Sequence, residues 1–419
     1  PAGHSMKQEF IRVSYLIQSS GSPTELAERI ASDQSTGSFT QIPGETEAIR
    51  QRFAARVHSV KPLSESVTPA WPANDKGPFQ SAIAELDYPL EAVGTDFSAL
   101  QTITVGGVYS IRQLTGVRVL DFSFPDAFRC HPGPQFGIEG SRRLTGVGTG
   151  PIIGSIIKPS LGLSPTETAS VVRQLCAAGV DFIKDDEKMM SPAYSPFDER
   201  VEAIMRVIKD FEQSSGKKVM YAFGISSADP DEMMRRHDVV VANGGNAAVI
   251  NINSIGMAGM TFLRKRSGLC LHAHRNGWDV LARHPHTGMD FMAYQKIWRL
   301  LGVDQFQING IRAKYWEPDE SFLTSFKACS TPVFSPVDRP LPVVCSGQWG
   351  GQLPDTYQRT GKANDFMYLA GGGVHGHPGG ASAGVKAIRQ AWDAAVAGVP
   401  LNEYAKEHIE LQQSLHKFG

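Results

Sequence analysis

The sequence predicts an α/β protein: a (β/α)8 barrel with C-terminal helices over residues 146–419, preceded by a smaller α+β domain over residues 7–145. Three observations lead there. From about residue 150, short β-branched runs alternate eight times with helical or helix-like stretches. Eight units in a row, over the usual span of about 250 residues, favour a closed barrel over an open doubly wound sheet. The residues before 145 lack that alternation and mix half-buried strand patterns with a capped helix.

In the first domain, FIRVSYLIQ alternates like a strand with one face buried, and SPTELAERIASDQ carries a cap and a helical face. ITVGGVYSI and VRVLDFSF read as further strands. The Pro/Gly-rich stretch FPDAFRCHPGPQFG reads as a linker into the barrel. The barrel strands are expected at Ile152–Ile157, Val180–Lys184, Lys218–Phe223, Ala247–Asn253, Leu269–His274, Gln305–Ile308, Pro342–Cys345 and Asp365–Leu369. The first barrel helix opens with Ser164 as cap, Pro165 at its first position and Glu167 as reciprocal acid, and it closes at Gly179. FDERVEAIMRVIKDFEQSSG continues the pattern as the second.

Composition narrows the function. Of 419 residues, 41% are hydrophobic and 20% charged, enough for a sizeable core. Lys+Arg number 41 and Asp+Glu 42, a net charge of −1, so nothing draws the chain toward nucleic acid or a membrane surface. The five cysteines are scattered without a CxxC, which suits a reducing, cytoplasmic setting. No signal peptide or long apolar run is seen, and PAGHSM at the start reads as a cloning remnant, excluded from fold reasoning.

In such barrels the reacting groups stand at the C-terminal ends of the strands. Those ends carry Lys158-Pro159-Ser160, then Lys184-Asp185-Asp186-Glu187, LHAHR, QINGIRAKYW, CSGQWGG and LAGGGVHGHPGG. Alternation puts Phe182, Lys184 and Asp186 on one face, and Glu187 joins them only if the strand has ended. Taken alone, KDDEK reads first as a solvated turn with local salt bridges. The second reading is metal chemistry: a neutral lysine adds CO2, and the carbamate with two carboxylates makes the all-oxygen site that Mg2+ prefers. Ser346-Gly347 and Gly371-Gly372-Gly373 suit anion binding through backbone N–H groups, although glycines also simply permit tight turns. Arg275 is the side-chain partner for a second anionic group. Of His272 and His274, one is expected to pack in the core and the other to polarise substrate; as metal ligands they would imply zinc.

Taken together, GSIIKPSLGLSPTE, GVDFIKDDEKM, LHAHR, CSGQ and LAGGGVHGHPGGASAGVKA resemble, in that order, the large subunit of ribulose-bisphosphate carboxylase. SDQSTGSFT, residues 32–40, resembles its N-terminal active-site segment. The resemblance covers nearly the whole chain. It implies Lys184 as the carbamylated lysine, with Asp186 and Glu187 completing a site for one Mg2+ per subunit. It implies Lys158 as the proton-transfer lysine, His274 and Arg275 on the substrate, and Ser346, Gly347, Gly371 and Gly372 on its oxygens and phosphate. Asp33 stands where the family has a glutamate that reaches into the partner subunit, which implies a homodimer or higher homo-oligomer.

The departures are specific. Gly107 replaces an asparagine, Ser160 replaces a lysine, Gln307 stands near a family histidine, and Lys314 in the strand-six loop lies one residue early. The chain therefore resembles the Rubisco-like proteins of form IV, which keep enolising chemistry and change the substrate. That implies a Mg2+-dependent lyase or isomerase acting on a phosphorylated keto-sugar acid. The leading expectation is decarboxylation or C–C cleavage of a 3-oxo-isoapionate 4-phosphate type of substrate, without CO2 fixation. A methionine-salvage enolase of 2,3-diketo-5-methylthiopentyl 1-phosphate is the alternative within the family. A zinc hydrolase barrel and a non-catalytic binding protein are the alternatives outside it.

Overall fold

The computed structural model describes residues 8–419 apart from Ser66 and Asn74. The PAGHSM segment lies outside the described residues. The chain divides into two compact units, one running to His131 and including Gly277–Ile297, the other formed by Pro132–Asn276 and Trp298–Gly419. This division after His131 and the sequence border after residue 145 differ by one helix, Gly137–Thr145.

The first unit is built on a five-stranded sheet. Its strands are β1 (Phe10–Ser19), β2 (Arg56–Glu65), β3 (Gln80–Pro89), β4 (Gly116–Ser123) and β10 (Gly288–Met289), in the order β10-β4-β1-β3-β2. β1 is central because it alternates: Ile11, Val13 and Tyr15 are fully buried, and it pairs antiparallel with both β3 and β4. Helix Pro23–Asp33 begins where the sequence puts it, with the Ser22 hydroxyl accepting from the Glu25 N–H. β2, β3 and the short β10, which joins β4 in parallel, are strands that the sequence patterns did not single out.

ITVGGVYSI is not a strand. Thr102–Gly106 continues helix Phe97–Gln101 as a wider π turn, and Val108–Ser110 forms a 3-10 turn. The reason is local. Asp96 caps the helix that feeds the segment, and the Thr104 hydroxyl bonds the Leu100 carbonyl one turn back, so its β-branched residues extend a helix instead of leaving it.

The second unit is a closed parallel barrel. Its eight strands are β5 (Ile152–Ile156), β6 (Phe182–Lys184), β7 (Met220–Gly224), β8 (Ala247–Asn251), β9 (Cys270–His274), β11 (Gln305–Gln307), β12 (Leu341–Val344) and β13 (Met367–Ala370). They close in the order β11-β12-β13-β5-β6-β7-β8-β9. Each coincides with an expected run to within a few residues. Ile152, Phe182, Met220, Val249, Leu341, Val343 and Leu369 fill the barrel interior as one apolar cluster. At its N-terminal end, Ile138 of helix Gly137–Thr145 joins that cluster, and the buried Asp304 carboxylate accepts from the Phe136 and Gly137 N–H groups. Helix Pro165–Ala178 shows the reciprocal Ser164–Glu167 capping box and ends on Gly179 at φ 85°. Because all eight strands are parallel, their C-terminal ends share one rim.

Candidate active site

β6 is short, and its end sets the site. The strand stops at Lys184, so the chain turns and Glu187 swings back to the same side. Lys184 is fully buried, and its Nζ lies 3.3 Å from Glu187 Oε2. Asp186 Oδ2 accepts from Lys158 Nζ at 2.8 Å, and Lys158 Nζ also reaches Ser160 Oγ at 2.8 Å. His274 Nε2 stands 3.5 Å from Glu187 Oε1. The first acid of the run turns the other way. Asp185 points into the protein, where Tyr221 Oη at 2.6 Å, the Gly224 N–H and Arg200 hold it. The charged run is therefore split between a buried anchor and a rim cluster, and it is not a solvated turn.

Electrostatics favour ionised carboxylates here. Burial pushes Glu187 up, but Lys184 and then His274 outweigh it and hold the carboxyl at about 2. Asp186 is likewise lowered: burial opposes its charge, and the hydrogen bonds from Lys158 and Ser160 win. His274 is pushed down to about 4, first by burial and with Glu187 opposing, so it is neutral near pH 7. Its Nδ1 is buried without a hydrogen-bond partner, as is Oδ1 of Asn251. Asn251 ends β8 and donates to the Glu187 carbonyl at 2.9 Å, fixing the turn that carries the acid.

His272 is the packed histidine of the pair. It is fully buried, stacks on Phe182, and has one ring nitrogen 2.9 Å from Gln305 Oε1 and the other 3.0 Å from Gln307 Nε2. With both nitrogens engaged it offers no lone pair, which removes the His-Ala-His zinc pair. Gln307 is thereby bound to His272 and, more weakly, to Cys345 Sγ at 3.7 Å.

The donors fit a hard cation and leave it one ligand short. Among the described residues, no three His, Cys, Asp or Glu side chains are grouped as a metal would need. Asp186 and Glu187 would supply oxygens and a carbamate on Lys184 a third, the kind of oxygen donors that Mg2+ takes beside water.

The remaining rim residues divide into two groups. Gly371, after β13, lies against Lys158: a Cβ built there would sit 3.0 Å from Lys158 Cε, whereas one at Gly372 would meet open space. Arg275, after β9, pairs with the buried Glu317 at 2.7 Å, and Asn309 and Ser346 extend that network. Lys314 is exposed, with Nζ over the Tyr315 ring, and its backbone N–H bonds the Ser346 carbonyl; its side chain packs beside Gly347. Asp33 belongs to the other unit, where Arg29 pairs with it at 2.6 Å. Asn251, Asn309 and Glu317 escaped the sequence reading. Asn251 and Asn309 stand at or just after a strand end, and Glu317 lies in the loop that follows β11; those positions were the available signal.

Two family descriptions cover this chain: "Ribulose bisphosphate carboxylase large chain, N-terminal domain" matches residues 5–128, and the corresponding catalytic domain matches residues 137–418. The chain belongs to the ribulose bisphosphate carboxylase large-chain family. It is 63% identical over 98% of both chains to a protein of Rhizobium rhizogenes named 3-oxo-isoapionate-4-phosphate decarboxylase. It is 41% identical to one of Xanthobacter autotrophicus named 3-oxo-isoapionate-4-phosphate transcarboxylase/hydrolase, over 97% of this chain and 99% of the other. Among solved structures it resembles a rubisco-like protein from Burkholderia fungorum, with TM-score 0.91 and 36% identity, covering 98% of this chain and 100% of that one. Within this Rubisco-like member two departures now have a physical setting. Ser160 helps hold Lys158 against Asp186. Gly107 abuts the Gln34 amide, which a Cβ would meet at 2.9 Å, so an asparagine there would displace Gln34.

Proposed function

We propose that this chain decarboxylates a phosphorylated 3-oxo sugar acid of the 3-oxo-isoapionate 4-phosphate type. The observation that carries the reading is the Lys158–Asp186 contact at 2.8 Å beside the Lys184–Glu187 pair, which sets a proton donor next to an oxygen-ligand cluster. The close similarity to a protein named for that reaction supports it. In a 3-oxo acid the bond to the carboxyl group breaks, CO2 leaves, and the electron pair passes into the adjacent carbonyl. Mg2+ held by Asp186, Glu187 and a carbamate on Lys184 would supply the positive charge that stabilises the resulting enolate oxygen. Lys158 would return a proton to the carbon that lost CO2. Neutral His274, beside Glu187, is the side chain assigned to a substrate oxygen. The phosphate is assigned to the Gly371-Gly372 loop, and Ser346 and Gly347 to other oxygens of the substrate. Carboxylation of ribulose bisphosphate is not expected, because Gly107 offers no side-chain donor and Ser160 no charge.

The test is CO2 release from 3-oxo-isoapionate 4-phosphate by enzyme preincubated with Mg2+ and bicarbonate. Release above the protein-free rate, abolished in Lys158→Ala, is the expected result. No release by folded wild-type protein would sink the assignment.

A further inference from the structure

The rim carries one more charged pair, and it is neutralised from within. Arg275 Nη2 lies 2.7 Å from Glu317 Oε2, with side chains only 8% and 2% exposed. Asn309 Nδ2 donates to that same oxygen, and Ser321 Oγ donates to the other carboxylate oxygen at 2.7 Å. The Ser346 hydroxyl donates to Asn309 Oδ1, tying the network to the end of β12. Asn309, at φ 70°, and Ser346, at φ 72°, both hold left-handed backbone, which asparagine tolerates well and serine adopts less often.

This network changes what the Arg275 end of the rim accepts. A guanidinium with no acid beside it attracts phosphate; one buried against its own carboxylate presents no net charge. A phosphate carries about −1.5 to −2 near neutral pH. To reach Arg275 it must either approach Glu317 or displace it, and displacement strands a buried carboxylate without its partner. The other end of the site differs. In the barrel order, β5, which delivers Lys158, stands across the rim from β9, which delivers Arg275. On the β5 side Gly371 packs against Lys158 and Gly372 faces open space.

We propose that Glu317 is a specificity-determining residue that makes this site select a monophosphate. It cancels Arg275 and excludes a second phosphate from that end, which receives instead an uncharged, hydroxylated end of the substrate. This rests on the sugar-phosphate reading of the rim and adds to it the number of phosphates and the residue that limits them. It is discrimination by an opposing charge built against the wrong ligand.

The measurement is calorimetric binding of ribulose 5-phosphate and ribulose 1,5-bisphosphate, which differ by one phosphate, to wild-type protein and to Glu317→Gln, each with Mg2+ and bicarbonate. Wild type should prefer the monophosphate by about tenfold or more. Glu317→Gln keeps an amide oxygen for Arg275 and loses the charge, so it should bind the bisphosphate tighter and erase most of that preference. Inorganic phosphate should also raise its Tm more than it raises that of wild type. A carboxylate that merely pins the loop would weaken both sugars alike and leave the ratio unchanged. Equal binding of the two by wild type overturns the proposal, and so does an unchanged ratio in folded Glu317→Gln. If that variant does not fold, the wild-type ratio decides, together with Glu317→Asp, which keeps the charge and should keep the preference. Binding is read without turnover, so failure to release CO2 from the proposed substrate would sink the functional assignment and leave this ratio standing.

Discussion

Lys184 is a fully buried lysine whose ammonium pairs with Glu187, while Asp186 is bonded to Lys158. Turning its ammonium into a carbamate exchanges a positive for a negative charge, and one divalent cation restores the balance, so CO2 addition and metal binding should each favour the other. Preincubation with bicarbonate and Mg2+ together should therefore raise the rate more than either alone. Lys184→Ala should lose both activity and Mg2+ affinity in calorimetry, whereas Lys158→Ala should keep the affinity and lose CO2 release. Native Mg2+ affinity in Lys184→Ala would remove the carbamate from the account. His272 gives a second residue-level expectation. Burial, and after it Lys184, lowers its pKa from the ordinary 6.5 to about 3, so the unfolded chain takes up this proton first as pH falls. The stability it contributes is present above pH 6.5 and drains away as the pH falls toward 3. Urea unfolding across that window should show the decline, and His272→Gln should flatten it.

At the scale of elements, local rules worked where the chain's own neighbours satisfy them. The Ser164–Glu167 box and the Gly179 stop were legible because capping needs only residues a few positions apart. Ser164→Ala should lower stability by about 1 kcal/mol. Gly179→Ala should cost about the same, because φ 85° is a left-handed conformation and the nearest atom to the new methyl, Lys217 Nζ at 3.6 Å, is in ordinary contact. Urea titration of both variants checks these values; no loss in Gly179→Ala would mean that the helix end relaxes freely. The same local logic failed at ITVGGVYSI. Its β-branched composition describes a strand, but Asp96 had already started a helix upstream, and Tyr15 reaches in from β1 to bond the Thr104 carbonyl at 2.7 Å. A partner 89 residues away in sequence lies beyond any window of periodicity.

At the scale of the whole molecule, the expectation is a homodimer. By the family resemblance Asp33 is expected to serve the partner's site, and a few positions on, Phe39 is 87% exposed and Ile42 42% exposed. Large apolar side chains this accessible, beside a segment assigned to a subunit boundary, suit an interface. Light scattering at micromolar concentration should give at least twice the 45.5 kDa chain mass. Phe39→Asp should shift that distribution toward monomer and lower activity in step. A fully active monomer would refute the shared-site arrangement.

By itself the sequence determined the barrel and the rim, since strand alternation, caps and the order of strand ends are properties of short stretches read one after another. The strand ends put Lys158, Lys184, Asp186 and Glu187 at the rim, but only the family resemblance set them apart from a solvated charged turn. Only the tertiary structure decided which groups are spent on one another. Asp185 turned inward to Arg200 and Tyr221, His272 gave both nitrogens to glutamines, and Arg275 met Glu317, 42 residues further along the chain. The physical reason is that a buried charge or polar atom takes whatever partner the closed barrel brings within hydrogen-bond reach, and that neighbour is set by barrel closure and not by the residues adjacent in sequence.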